Sequence, residues 1–269
     1  MTISGHSNHL DFLEQQSIFI IREAYFRLIP LALLWSLGKD SNVLLHLCRK
    51  AFLGRVPFDV VHVDTGQKFP EMYDFRDRYS KEWNIRLKVV ECPPIEQIDP
   101  TLPPAARAGA RKAAGLASEI EESGLAGVIA GIRRDEQALR AKERIFSPRW
   151  NAHSWDLKRQ PPEIWDYYPT YKAASHYRIH PILNWTELDV WLYIRRENIP
   201  VVSLYFSSGG SRYRSLGDKD ITFPVKSSAS TLDEIIAELS DNSVSERSGR
   251  AMDHETEGSF EKLRATGYL

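Results

Sequence analysis

The sequence predicts an α/β protein whose mostly parallel sheet is covered by helices on both faces. Two observations carry this. Short apolar runs of strand length alternate along the chain with longer stretches of helical spacing, the pattern of consecutive βαβ units. Asp40, Asp64 and Arg133 each follow a strand-like run, which puts them at the carboxyl ends of the strands, where such sheets bind ligands. Composition sets the remaining bounds. A chain of 269 residues, 42% hydrophobic and 26% charged, can bury a full core and reads as soluble and globular. Its formal net charge of -1 gives no global field towards nucleic acid or membrane, so any anion must be gripped locally.

The elements follow in order. Leu10, Leu13, Ile20, Ile21, Ala24 and Leu28 recur at helical spacing, so residues 8–28 form an amphipathic helix that ends near Pro30. LALLW (31–35) is a buried strand. The turn Ser36-Leu37-Gly38-Lys39-Asp40-Ser41 then opens a helix over 40–52. FDVVHV (58–63) is the second strand and ends in Asp64-Thr65-Gly66; residues 70–83 are helical, and IRLKVVE (85–91) is the third strand. The Pro- and Ala-rich stretch 93–110 reads as a loop before a helix at 111–123. AGVIAG (126–131) is the fourth strand, 132–175 is irregular, and YRIHPI (177–182) is the fifth. TELDVWLYIRREN (186–198) is a helix with an acidic start, SSGGS (207–211) a flexible hinge, and the remainder ends in a helical tail. The expected organisation is one α/β domain with its N-terminal helix over 1–206, and a tail segment, 207–269, packed on it.

Cys48 and Cys92 lie far apart, without a CxxC or a Cys/His cluster, against structural zinc, an iron–sulfur cluster or a disulfide scaffold. The apolar stretch SIFIIREAYFRLIPLALLW is broken by Arg22, Glu23, Arg27 and Pro30. No signal peptide or membrane span is expected, and the protein is read as cytoplasmic.

Three stretches carry chemistry. In SLGKDS (36–41), turn N–H groups and the helix dipole can hold phosphate, with hydroxyls from Ser36 and Ser41 and a charge from Lys39. A capped helix with Gly38 easing the turn is the plain alternative, and the spacing is not that of a Walker A loop. In VDTG (63–66), Asp64 can bind Mg²⁺ or a ribose hydroxyl, or simply close the strand with an Asx turn. In GIRRDEQALRAKERIFS (131–147), a solvated helix face competes with an anion site, because adjacent arginines repel unless an anion lies between them. The aromatic residues Trp150, Trp155, Trp165, Tyr167 and Tyr168 suit core packing better than base stacking.

Together these stretches resemble the PP-loop ATP pyrophosphatases, of Rossmann-like adenine nucleotide alpha-hydrolase fold. Within them the chain is similar to the small catalytic subunit of bacterial ATP sulfurylase. The likeness runs through SLGKDSNVLLHLCRKAF (36–52), PFDVVHVDTGQKFPEMYDFRDR (57–78), RRDEQALRAKERIFSPR (133–149), HPILNWTELDVWLYIRRENIPVVSLYF (180–206), RYRSLGD (212–218) and SERSGRAMDHETEGSFEKLRATGYL (245–269). It implies a five-stranded parallel sheet, ATP and Mg²⁺, and cleavage between the α and β phosphates. Ser36, Leu37, Gly38, Lys39, Asp40 and Ser41 then form the pyrophosphate loop. His62, Asp64, Thr65, Gly66 and Gly131 complete the nucleotide site, with Asp40 and Asp64 towards the metal. Lys39, Arg133, Arg134, Lys142 and Arg144 face the phosphates and the attacking oxyanion, and paired forks from Arg133 and Arg134 are expected to line a sulfate pocket.

The resemblance implies sulfate as acceptor, a GTPase large subunit as partner, and a homodimer as one possible assembly. Two departures stand against the pattern. Leu37 occupies a position where the motif commonly has glycine, and a bulky side chain disfavours positive φ, but members of the resembled subfamily carry an aliphatic residue there, so this departure is discounted. SSGGS replaces a much longer insertion, which bears on partner docking and on the acceptor. An alternative keeps the ATP chemistry but activates DNA for sulfur insertion, with a cysteine desulfurase and DNA-modification proteins as partners. A non-catalytic nucleotide-binding scaffold is the third reading. Phosphosulfate reduction needs a nucleophilic cysteine in the C-terminal part, and none follows Cys92.

Overall fold

The computed structural model describes residues 3–136, 140–150, 155–163 and 167–241. Its strands are β1 (Leu31–Leu34), β2 (Asp59–Asp64), β3 (Leu87–Glu91), β4 (Gly127–Ile129), β5 (Phe146–Arg149), β6 (His176–Ile179), β7 (Ser211–Arg212) and β8 (Val225–Lys226). The helices are α1 (Ile3–Arg27), α2 (Lys39–Ala51), α3 (Pro70–Glu82), α4 (Pro104–Glu122), α5 (Glu187–Glu197) and α6 (Leu232–Asp241). The main sheet has the order β3-β2-β1-β4-β6-β5. Its first five strands are parallel, as expected, and β5 adds a sixth, antiparallel edge. The order reverses between β1 and β4, which opens a ligand crevice beyond their carboxyl ends.

Side-chain alternation divides the sheet into two faces. Leu31, Leu33, Val60, Ile129 and Ile179 face the larger core with residues of α1, α2 and α5. Ala32, Val61 and Val128 point the other way, onto Leu116 and Ile120 of α4. Gly127 is required by this packing, since a Cβ there would stand 2.8 Å from Leu31 Cδ1. Helix α5 starts with a capping box between Thr186 and Asp189 and stops at Asn198 in the left-handed region, φ 52°. Its run Val190–Ile194 is buried, and each large apolar side chain there stabilises by roughly 1.5–3 kcal/mol.

Three sequence expectations change. Helix α4 begins at Pro104 rather than 111, because proline suits the first turn of a helix and the Ala-rich run after it continues the helix. Strand β5 lies in the segment read as irregular; its FSPR has no apolar run, and Pro148 is tolerated on an edge strand. The stretch 207–211 is the turn of the β7–β8 region, not a hinge. Ser208 pairs with Ser211, and Gly209 and Gly210 supply φ of 63° and 82°. Helix α6 begins the expected tail and places Ile235 and Ile236 in the larger core. Trp165 and the matching stretch 245–269 lie outside the described residues. Of the other aromatics, Phe146 stacks on Tyr168 with centroids 5.2 Å apart, as core packing requires.

Candidate active site

The loop Ser36–Ser41 leaves β1 at the crevice, and its start is pinned by polar contacts. Trp35 N donates to Val61 O at 2.8 Å, and Trp35 Nε1 donates to Asn42 Oδ1 at 2.7 Å. His62 Nδ1 donates to Trp35 O at 2.8 Å; burial pushes this imidazole down to about 4, so it is neutral at pH 7. Ser36 Oγ donates to Ser41 Oγ, which donates in turn to Gly38 O at 2.9 Å. Leu37 is fully buried at φ 68°, so the loop keeps a left-handed residue here without a glycine. Burial of the leucine side chain offsets the strain of this backbone conformation.

Helix α2 starts at Gly38 without a side-chain cap. Lys39 N donates to Tyr205 Oη at 2.9 Å, and Asn42 N begins the helical ladder on Gly38 O at 3.0 Å. Apart from the amide held by Tyr205, the first turn of a helix whose N-cap residue supplies no side chain suits an anion. Gly131 lets the strand end of β4 come close, because a Cβ would meet Asp40 C and Ser41 N at 3.2 Å.

A buried charge network adjoins this turn. Lys39 Nζ lies 3.3 Å from Asp40 Oδ2 and 3.9 Å from Glu187 Oε1. Arg133, fully buried, donates from Nε to Asp40 Oδ1 at 2.5 Å and from Nη1 to Asp135. Glu187 N donates to Asp135 Oδ2 at 2.8 Å, while Arg214 Nη2 lies 2.8 Å from Glu187 Oε2. Burial raises Asp40, but Arg133 and Lys39 together hold its carboxyl below the ordinary value; burial leaves Asp135 raised. Lys39, Arg133 and Arg214 thus meet three carboxylates at the mouth of the crevice.

At the end of β2, Asp64 Oδ1 accepts from Gly66 N at 2.8 Å and from Tyr73 Oη at 2.9 Å, and Arg76 Nη1 lies 3.3 Å from Oδ2. This is the Asx turn read as the plain alternative. Thr65 Oγ1 donates to Asp218 Oδ1 at 2.8 Å, and Asp218 also binds Lys68 Nζ at 2.6 Å and Lys112 Nζ at 2.8 Å. Burial opposes both charges: Lys68 falls to about 8, whereas the two lysines bring Asp218 to about 2. A cavity of about 420 Å³ opens beside Thr65, with Arg107 and Arg111 of α4 and Asp218 in its wall.

The basic segment splits. Arg133 joins the loop network, but Arg134 turns to Asn184, to Glu143 O at 3.0 Å and to Glu163 Oε2 at 3.1 Å. Arg144 shares Glu163 at 3.9 Å, and Lys142 Nζ sits 4.5 Å over the Trp155 ring. The expected fork of Arg133 and Arg134 is therefore not formed, since each guanidinium has its own carboxylate. The sequence reading missed Tyr205, Glu187, Arg214, Lys68 and Asp218 as neighbours of the site. All five lie within the matching stretches 57–78, 180–206 and 212–218, but nothing in those stretches singled them out.

Cys48 and Cys92 are buried and free, and burial raises both thiols, Cys92 to about 11. Among the described residues no helix is long and apolar enough to cross a membrane.

The phosphoadenosine phosphosulfate reductase domain model matches residues 30–224. Sulfate adenylyltransferase subunit 2 of Rhizobium johnstonii is 40% identical over 302 residues, covering 97% of this chain and 93% of that protein. The protein of the same name from Zymomonas mobilis is 40% identical over 295 residues, covering 97% and 98%. Among solved structures, Candida glabrata FMN adenylyltransferase with FAD and inorganic pyrophosphate superposes with a TM-score of 0.56 at 17% identity, covering 97% of this chain and 86% of that one. A phosphoadenylyl-sulfate reductase from Candida auris gives 0.53 at 16% identity, covering 80% and 97%; at these identities both share the fold alone. The chain belongs to the phosphoadenosine phosphosulfate reductase domain family and, within it, to the sulfate adenylyltransferase subunit 2 proteins.

Proposed function

We propose that this chain is the catalytic small subunit of a sulfate adenylyltransferase. A sulfate oxygen attacks the α-phosphorus of ATP, the bond to the α–β bridging oxygen breaks, and pyrophosphate leaves with the electron pair. The product is adenosine 5′-phosphosulfate. The observation that carries this reading is the uncapped turn Ser36–Ser41 at the strand-order reversal, flanked by buried Lys39 and Arg133. Its N–H groups and Lys39 receive the β and γ phosphates, and Arg133 compensates charge that grows on the leaving group. Such transfers are accelerated by positioning and charge stabilisation, without a protein nucleophile.

Mg²⁺ bound with the triphosphate would supply further charge neutralisation there. Among the described residues no group of three His, Cys, Asp or Glu is placed to hold a metal ion. Asp40 and Asp64 already meet Lys39 and Arg133 or Arg76. That arrangement fits a nucleotide-borne ion with few protein ligands better than a protein cage. A GTPase large subunit is the proposed partner, and residues 1–206 the catalytic body to which 207–269 is appended.

A second reading, activation of DNA for sulfur insertion with a cysteine desulfurase, has one observation on its side. The alignments run over 295–302 residues, more than the 269 of this chain, so the relatives carry residues that it lacks. Incubation with ATP and labelled sulfate separates the two readings. Labelled adenosine phosphosulfate supports sulfate; ATP cleavage that yields none, but rises with desulfurase and DNA, replaces it.

A further inference from the structure

The second face of the sheet is apolar under α4 but polar at its β5–β6 end. The antiparallel register sets Ser147 opposite Arg178 and Arg149 opposite His176. Alternation puts these four side chains on one face, while Phe146, Tyr177 and Ile179 enter the core on the other. All four are buried, and so are Arg140, Glu143 and His180 around them. Arg149 Nη2 lies 3.5 Å from Glu143 Oε2.

Arg149 is 0% exposed, and its Nε and Nη1 are buried with no hydrogen-bond partner. A guanidinium cannot shed its proton in the way a buried lysine does, so such donors ask for an acceptor. Burial above all, with Arg149 and Arg140 nearby and Glu143 opposing them, pushes Arg178 down to about 9. The site is also tied to the phosphate loop. Glu143 meets Arg149 through its carboxylate and Arg134 through its carbonyl, and the adjacent Arg133 binds Asp40. A compact ligand with several acceptor oxygens and two negative charges answers these features best.

We propose that Arg149, with Arg140 and Arg178 beside it, forms a binding site for a tetrahedral dianion. Resting on the function proposed above, this site, rather than a fork of Arg133 and Arg134, is the pocket of the acceptor sulfate.

Equilibrium dialysis of labelled sulfate, at ionic strength held constant with chloride and with or without a non-hydrolysable ATP analogue, tests the site. Inorganic phosphate serves as the second probe. The wild-type chain should bind one sulfate and melt at a higher temperature in sulfate than in matched chloride. Arg149→Met, which keeps length and loses all donors, should weaken sulfate binding by about 30-fold or more, and Arg149→Lys should restore part of it. In pyrophosphate release, Arg149→Met should raise KM for sulfate while KM for ATP stays within about twofold.

A folded Arg149→Met chain that binds sulfate like the wild type overturns the site. If that variant does not fold, the wild type decides: no stoichiometric binding and no thermal shift under either condition overturns it too. Phosphosulfate formation with an unchanged sulfate KM in the variant removes the site and leaves the function standing. Arg149-dependent sulfate binding by a chain that makes no phosphosulfate keeps the dianion site and removes the function. Binding of phosphate but not sulfate overturns the acceptor assignment.

Discussion

Leu37 shows how two residue-scale effects are weighed. A left-handed backbone costs a non-glycine residue about 1–2 kcal/mol, whereas truncating a buried leucine costs about 2–5 kcal/mol. Leu37→Gly relieves the φ of 68° but empties a fully buried position. It should therefore destabilise the protein by about 1–3 kcal/mol in urea titration; a more stable variant would mean that strain dominates. Lys39 is different, since its charge is the ammonium next to the uncapped turn. Lys39→Ala should lower the rate of pyrophosphate release by about 10²–10³-fold, with the far-ultraviolet spectrum unchanged. A variant that releases pyrophosphate at the wild-type rate would take the loop out of the mechanism. None of this weighing could be read from the sequence. The motif flagged position 37, but only the packing shows a core that rewards the larger side chain.

At the scale of elements, the parallel strands and most helices were legible because apolar period and length speak together, as in LALLW and FDVVHV. The edge strand β5 was not, because Phe146-Ser-Pro-Arg149 has no apolar run: Phe146 faces the larger core, while Ser147 and Arg149 lie with buried His176 and Arg178 on the other face, the one that α4 covers further along. The start of α2 directly after β1 was legible, from the turn Ser36–Ser41 and the apolar helical run after it. Its support was not, since Tyr205 reaches Lys39 N across 166 residues. The union of β2, α4 and the 218 turn is equally long-range: Asp218 ties Thr65, Lys68 and Lys112 together. Asp218→Ala leaves Lys68 buried without its carboxylate and should cost about 3–5 kcal/mol. The combined Asp218→Ala, Lys68→Met chain should recover part of that loss in thermal melts. No recovery would show that the pair is not the source.

For the molecule as a whole, pH stability follows from two buried imidazoles. Burial holds His62 and His180 at about 4, below their ordinary 6.5. Between these values the unfolded chain takes protons that the native one refuses, so stability is full above about pH 6.5 and falls as pH drops towards 4, by up to roughly 3 kcal/mol for each group. Urea midpoints measured across this range should decline, and a flat profile would contradict the assigned burial. That the Ser36–Ser41 loop, the β2 end and Arg133 lie at strand ends was legible in sequence, because each follows an apolar strand-like run. The different partners of Arg133 and Arg134 were not legible, because adjacency in sequence does not show which carboxylate each guanidinium reaches. Excess chelator should abolish turnover if Mg²⁺ travels with ATP; full activity there would remove the metal from the reaction. The central claim is that sulfate attacks ATP on this chain. It is tested most directly by titrating pyrophosphate release with sulfate, with and without a GTPase subunit. A saturable rise, with one adenosine phosphosulfate formed for each pyrophosphate, is the predicted result. Active ATP cleavage that stays flat across the sulfate range under both conditions would contradict it.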